Sequence, residues 1–134
     1  MADETRPPGK REIRNFNDLI VWQKARGMVK AIYQGTRDFP PEELYGLTAQ
    51  LRRAAVSVPS NIAEGYGRGG RKEYVRFLRT ARGSLYEVQT QLLLAQDLGF
   101  LSPTKAEELM QSAARCCQLL NGLLRSLAKR GASK

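Results

Sequence analysis

The stretch ELYGLTAQLRRAAVSVPSNIAEGYGRGGRKEYVRFL, Glu43 to Leu78, decides how the rest of the chain is read. Leu44, Leu47, Leu51, Ala55, Val58 and Ile62 recur at spacings of three, four, four, three and four, which is one face of a helix. Gly65, Gly67, Gly69 and Gly70 predict its end, since glycine accepts the positive φ that stops a helix. A strongly basic helix follows. Pro59 lies inside the first of the two; it lacks an N–H, and its ring crowds the carbonyl of Ala55. The expectation is a helix from about Glu42 to Glu64 that kinks at Pro59, or breaks and restarts on Ser57. The undisturbed apolar spacing favours the kink.

Upstream, residues 1–15 mix proline, glycine and both charge signs with little to bury, which predicts a disordered arm. Asn17 reads as an N-cap, with Asp18 in the positive first turn and a hydrophobic staple of Phe16 on Val21. Leu19, Trp22, Ala25, Val29, Ile32, Tyr33 and Thr36 carry one face, so the first helix spans about Asp18 to Asp38, before Pro40 and Pro41. Downstream, Tyr74, Phe77, Leu78, Ala81, Leu85, Val88 and Leu92 form the apolar side of a third helix, from about Arg71 to Leu98. Ser102 and Pro103 open a fourth. Along it Ala106, Leu109, Ala113, Cys116, Leu120, Leu123 and Leu127 make a heptad seam, with Met110, Cys117 and Leu124 as a second row. Short loops between four amphipathic helices predict an all-α, antiparallel up-down four-helix bundle over residues 16–130. The second row on the fourth helix, with Leu93 and Leu94, has two readings. It is an oligomer contact, or it seats that helix deep in the monomer core.

The chain of 134 residues carries 22 basic and 13 acidic side chains, a net charge of +9, and no histidine. With no histidine and only the adjacent Cys116 and Cys117, a metal site is disfavoured and a nucleophile lacks its usual base. Gly65, Gly67 and Gly69 follow a helix rather than a strand, so they read as a turn and not a nucleotide-binding loop. No catalytic residue and no cofactor is expected; the protein reads as a non-enzyme. No apolar run is long enough for a membrane span, and the N-terminus lacks a signal-peptide core, so no membrane partner and a cytoplasmic location are expected.

The sharpest functional signal is on the third helix. Lys72, Arg76, Arg79 and Arg82 share the side opposite the apolar one, Arg71 joins their margin and Arg68 precedes them. Such a stripe binds phosphates without reading sequence, and arginine's planar fork suits them. Tyr66 in the glycine-rich loop is the expected base-stacking aromatic. The bland alternative is a solvated helix face. Arg52 and Arg53, among apolar neighbours, are expected to pair with Glu64 or with a helix end.

The segments FNDLIVWQKA (16–25), YGLTAQLRRAAVSVPSNIAEGYGR (45–68) and FLRTARGSLYEVQTQLLLAQDLGFL (77–101) resemble the S23, or 23S rRNA intervening-sequence, proteins. The resemblance implies a four-helix bundle that assembles into a basic homopentamer. Some relatives are encoded within rRNA genes; a related branch, the accessory variability proteins of diversity-generating retroelements, binds a reverse transcriptase and nucleic acid. It implies no catalytic residues. Ser57, Asn61, Glu64, Gly65, Gly83 and Ser84 read as structural, with Gly83 and Ser84 permitting close helix approach. Two functions are therefore expected: an accessory protein that binds RNA and/or DNA with little sequence preference, or a scaffold that docks a reverse transcriptase or other acidic partner.

Overall fold

A computed structural model describes residues 12–132. Four helices, α1 (Ile20–Gly35), α2 (Leu47–Gly67), α3 (Arg71–Asp97) and α4 (Pro103–Ala132), run alternately up and down. Each packs on two neighbours, α1 with α2, α2 with α3, α3 with α4 and α4 with α1, while the diagonal pairs stay apart. The predicted all-α four-helix bundle is what forms. The expected arm falls, through residue 11, outside the described residues.

Local chemistry moves several boundaries. Asn15, not Asn17, caps the first turn, a 3-10 segment over Phe16–Asp18. Its Oδ1 accepts the Phe16 N–H at 2.8 Å, and the Asp18 carboxylate accepts those of Asn15 and Arg14 at 3.2 and 2.9 Å. Leu19 is then extended, so α1 starts only at Ile20. Phe16 packs edge-on against Trp22 at 5.1 Å, in place of the staple on Val21. α1 stops at Gly35, where the buried Thr36 hydroxyl donates to the Ile32 carbonyl at 2.8 Å. Pro41–Glu43 form a second 3-10 turn, which delays α2 to Leu47 and leaves Leu44 outside the helix and half exposed. Glu43 Oε1 accepts the Leu47 N–H at 3.0 Å, satisfying a free donor of the new helix. Ser102 does cap α4, its hydroxyl accepting the Lys105 N–H at 3.1 Å.

α2 runs unbroken through Pro59, so no restart on Ser57 occurs. The Ser60 hydroxyl donates to the Val56 carbonyl at 2.8 Å and Asn61 Nδ2 to the Ser57 carbonyl at 2.8 Å. Asn61 Nδ2 also reaches the Ser57 hydroxyl at 2.9 Å, and that hydroxyl pairs with Ser84 across the α2–α3 contact at 2.8 Å. Gly65 does not end α2. It lies buried inside the helix, where a Cβ would stand 2.6 Å from Phe77 Cβ and 3.3 Å from Tyr74. The turn is made instead by Gly69, at φ +84°. Gly83, expected at a close helix approach, faces open space, and Ser84 is the residue in contact.

Arg52 ends on a helix terminus, as one of its two expected pairings had it. Its Nε donates to Thr36 Oγ1 at 2.9 Å, and its guanidinium lies 4.6 Å from the centre of the Tyr33 ring. A cation is thus placed at the negative end of α1, whose own last turn has none. On α4, Met110, Cys117 and Leu124 are half-buried against the core, which favours the monomer-core reading of that second row. Leu93 and Leu94 on α3 remain exposed.

Two predictions follow from the packing. Gly65→Ala should destabilise by roughly 1–3 kcal/mol through overpacking, despite alanine's helix propensity. Gly83→Ala should stabilise by about 0.5–1 kcal/mol, having helix propensity to gain and nothing to strike. Denaturant titrations of both variants check the opposite signs. Separately, burial first and then Cys117 push the Cys116 thiol up to about 11, and burial also raises Cys117. The folded thiols hold their protons longer than the unfolded ones. The contribution of Cys116 to stability is therefore present below about pH 9 and lost as pH rises toward about 11, and that of Cys117 changes in the same direction. At pH 8 a disulfide-exchange dye should react slowly with the native protein and rapidly with both thiols in denaturant.

Candidate nucleic-acid interface

The inner side of α3 is committed to the core through Phe77, Leu78, Ala81, Ser84, Leu85, Val88 and Leu92. At 100° per residue, Lys72, Arg76 and Arg79 must then face outward, and all three are exposed. Lys72 and Arg79 make no hydrogen bond or ion pair with any described residue. A shallow, open depression lies between Arg71, Lys72, Val75, Arg76, Arg79 and neighbouring side chains. All its walls come from α3, so it is a surface feature rather than an enclosed substrate cavity.

The remaining expected residues are more engaged. Arg76 donates to Glu73 Oε2 at 2.7 Å and lies 4.5 Å from the centre of the Phe77 ring. Arg68, just after α2, pairs with Glu64 Oε1 at 2.9 Å and approaches the same ring at 5.1 Å. The two guanidiniums thus cover Phe77. The hydrogen bond from Arg76, aided by the charges of Arg68 and Lys72, holds the Glu73 carboxyl below its usual range. Arg71 is exposed, with its guanidinium against Gly131 of α4, where a Cβ would meet it at 2.7 Å. Arg82 departs from the expected open stripe: it is half-buried and donates to Asn121 Oδ1 of α4 at 3.1 Å. Its position on the margin of the basic side turns it into the α3–α4 seam.

Tyr66 also departs from expectation. It is half-buried, edge-to-face with Tyr74 at 6.0 Å, and so belongs to the packing of the bundle end. Burial, then Tyr66, push the Tyr74 hydroxyl up to about 12, while Arg130 of α4 acts in the opposite direction. That contact brings the C-terminal turn of α4, with Lys129 and Arg130, to the α3 start.

Up-down topology gathers charge at this end. The half of the bundle made by residues 12–27, 58–84 and 118–132 holds twelve basic and four acidic residues, net +8. The other half, residues 28–57 and 85–117, holds six basic and seven acidic, net −1. Sequence reading found the α3 part of this pole and missed Arg125, Lys129 and Arg130 of α4. Only the return of α4 to the same end could have flagged them. Among the described residues no cluster of three or more histidine, cysteine or carboxylate side chains is placed to hold a metal, and no helix is long and apolar enough to cross a membrane.

Comparison with known proteins agrees with this architecture. The family profile described as 23S rRNA-intervening sequence protein matches residues 17–122. No curated protein matches the sequence. A similar solved structure is a protein with unknown function from the S23 ribosomal protein family of Bacteroides thetaiotaomicron, determined at 1.70 Å. It superposes with a TM-score of 0.74 at 18% identity, covering 79% of this chain and 96% of that one, which establishes a shared fold. With the profile spanning most of the bundle, the chain belongs to the family of 23S rRNA-intervening sequence proteins.

Proposed function

We propose that the protein is a non-enzymatic, oligomeric accessory protein of the cytoplasm that binds RNA and/or DNA with little sequence preference. The observation that carries this reading is the unequal division of charge, net +8 in one half of the bundle and net −1 in the other. Each cation that neutralises a phosphate releases counterions, so a pole of this kind gains affinity without reading bases. The surface pairs of Arg68 and Arg76 with glutamates are solvent-exposed and worth little, so they exchange readily for phosphate. A homopentamer is the proposed assembly; it repeats the pole on each subunit and turns weak contacts into avid ones. Leu44, Tyr45, Leu94 and Leu98, exposed at the opposite end, support association away from the basic pole.

Charge reversal on the ridge tests the binding. Arg76 is a poor choice because it covers Phe77, so Lys72→Glu combined with Arg79→Glu is the cleaner variant. If about 6 phosphates are engaged, wild-type affinity should fall roughly a thousandfold between 50 and 200 mM salt. The variant should lose at least about tenfold at 50 mM salt, with helicity and mass unchanged. Wild-type binding by that variant would make the ridge a solvated face. Were the pole to dock only an acidic protein, such as a reverse transcriptase, no oligonucleotide would bind. Assembly is checked separately: light scattering should return a multiple of the 15.0 kDa chain mass, and a monomer mass would exclude the pentamer.

A further inference from the structure

Resting on that nucleic-acid reading, we propose that Tyr86 is a base-stacking platform for a single-stranded ligand whose phosphates lie along Lys72 and Arg79. The three residues stand at successive seven-residue steps on the outer side of α3, each step two turns or about 10 Å along the axis. Two cations free of ion pairs thus lead directly to an aromatic ring. Tyr86 is 52% exposed, and its ring makes no aromatic or cation contact with a described residue. Gly83, one turn before it, leaves open space where any other residue would place a side chain. A planar base can therefore enter between Arg79 and Tyr86.

None of the other four tyrosines offers this combination. Tyr33 already carries the Arg52 guanidinium, Tyr66 is packed edge-on against Tyr74, and Tyr74 is half-buried against the core. Tyr45 is 92% exposed but lies before the start of α2, at the bundle end away from Lys72 and Arg79, whereas Tyr86, just past the midpoint of α3, is two turns from Arg79. A second copy laid symmetrically about Arg79 would bring like charge against like charge, whereas a polyanion complements the row. The preference for single strands follows from access. In a duplex the base faces are stacked on each other, while an unpaired base presents its face to an aromatic side chain.

The test compares a fluorescein-labelled oligouridylate with an RNA duplex of equal length by anisotropy, using the full chain at 50 mM salt. Tyr86→Ala should weaken the oligouridylate roughly tenfold and leave the duplex within about twofold, and Tyr86→Phe should retain wild-type affinity for both. Equal losses on both ligands, no loss on either, or a changed oligomer mass in Tyr86→Ala would overturn the proposal, the last by assigning Tyr86 to a contact between copies. Wild type that binds neither RNA overturns the nucleic-acid reading itself. Wild type that binds both, with Tyr86→Ala indistinguishable from it, overturns only the stacking role.

Discussion

The close approach of α2 and α3 is the constraint on which the rest depends. It requires Gly65, because a side chain there would collide with Phe77. About two turns away along α2, it is held by the hydroxyl pair of Ser57 and Ser84. Pro59 sits between these two points, and the side chains of Ser60 and Asn61 bond back to carbonyls of the preceding turn. Small and polar residues thus carry a contact that larger apolar ones would force apart. With its inner side fixed against α2, α3 has no rotational freedom left, and its basic ridge is aimed outward.

The two arginines over Phe77 show how packing and charge share the same atoms. Arg68 and Arg76 each meet a glutamate and the ring, so they bury apolar surface while keeping their charge at the boundary. Glu64 and Glu73 moderate repulsion within a pole that gathers most of the excess charge. At physiological ionic strength fields decay over about 8 Å, so only cations brought close together act jointly. The return of α4 achieves this, by placing its basic C-terminal turn beside the start of α3. The same cations also complement the negative end of α4.

At the other pole the chain relies on local bonding and aromatic closure. Arg52 reaches from α2 to the end of α1 and leaves Thr36 with both a donor bond and an acceptor bond, although that residue is buried. Phe39 and Phe100, from the two loops at this end, pack at 5.6 Å and close the core. The Arg52–Thr36 and Phe39–Phe100 contacts span residues far apart in sequence.

Periodicity was sufficient for the bundle itself. The apolar spacings in α2, α3 and α4 are dictated by helical geometry, and a helix must bury its stripe wherever it packs, so core residues such as Leu51, Val58, Leu85 and Leu120 were legible from the chain alone. The outward direction of Lys72, Arg76 and Arg79 was legible for the same reason. Helix ends were less so, because Asn15 and Asn17, or Glu42 and Leu47, differ only in how a loop bonds back to the backbone. Tertiary structure alone separated Gly65, which another helix presses upon, from Gly83, which nothing touches; in sequence both are glycines of the same motif-rich region. It alone turned Arg82 into a seam, packed Tyr66 against Tyr74 and left Tyr86 open. A residue's place on one helix says which way it points, and only the neighbouring helix decides whether anything stands there.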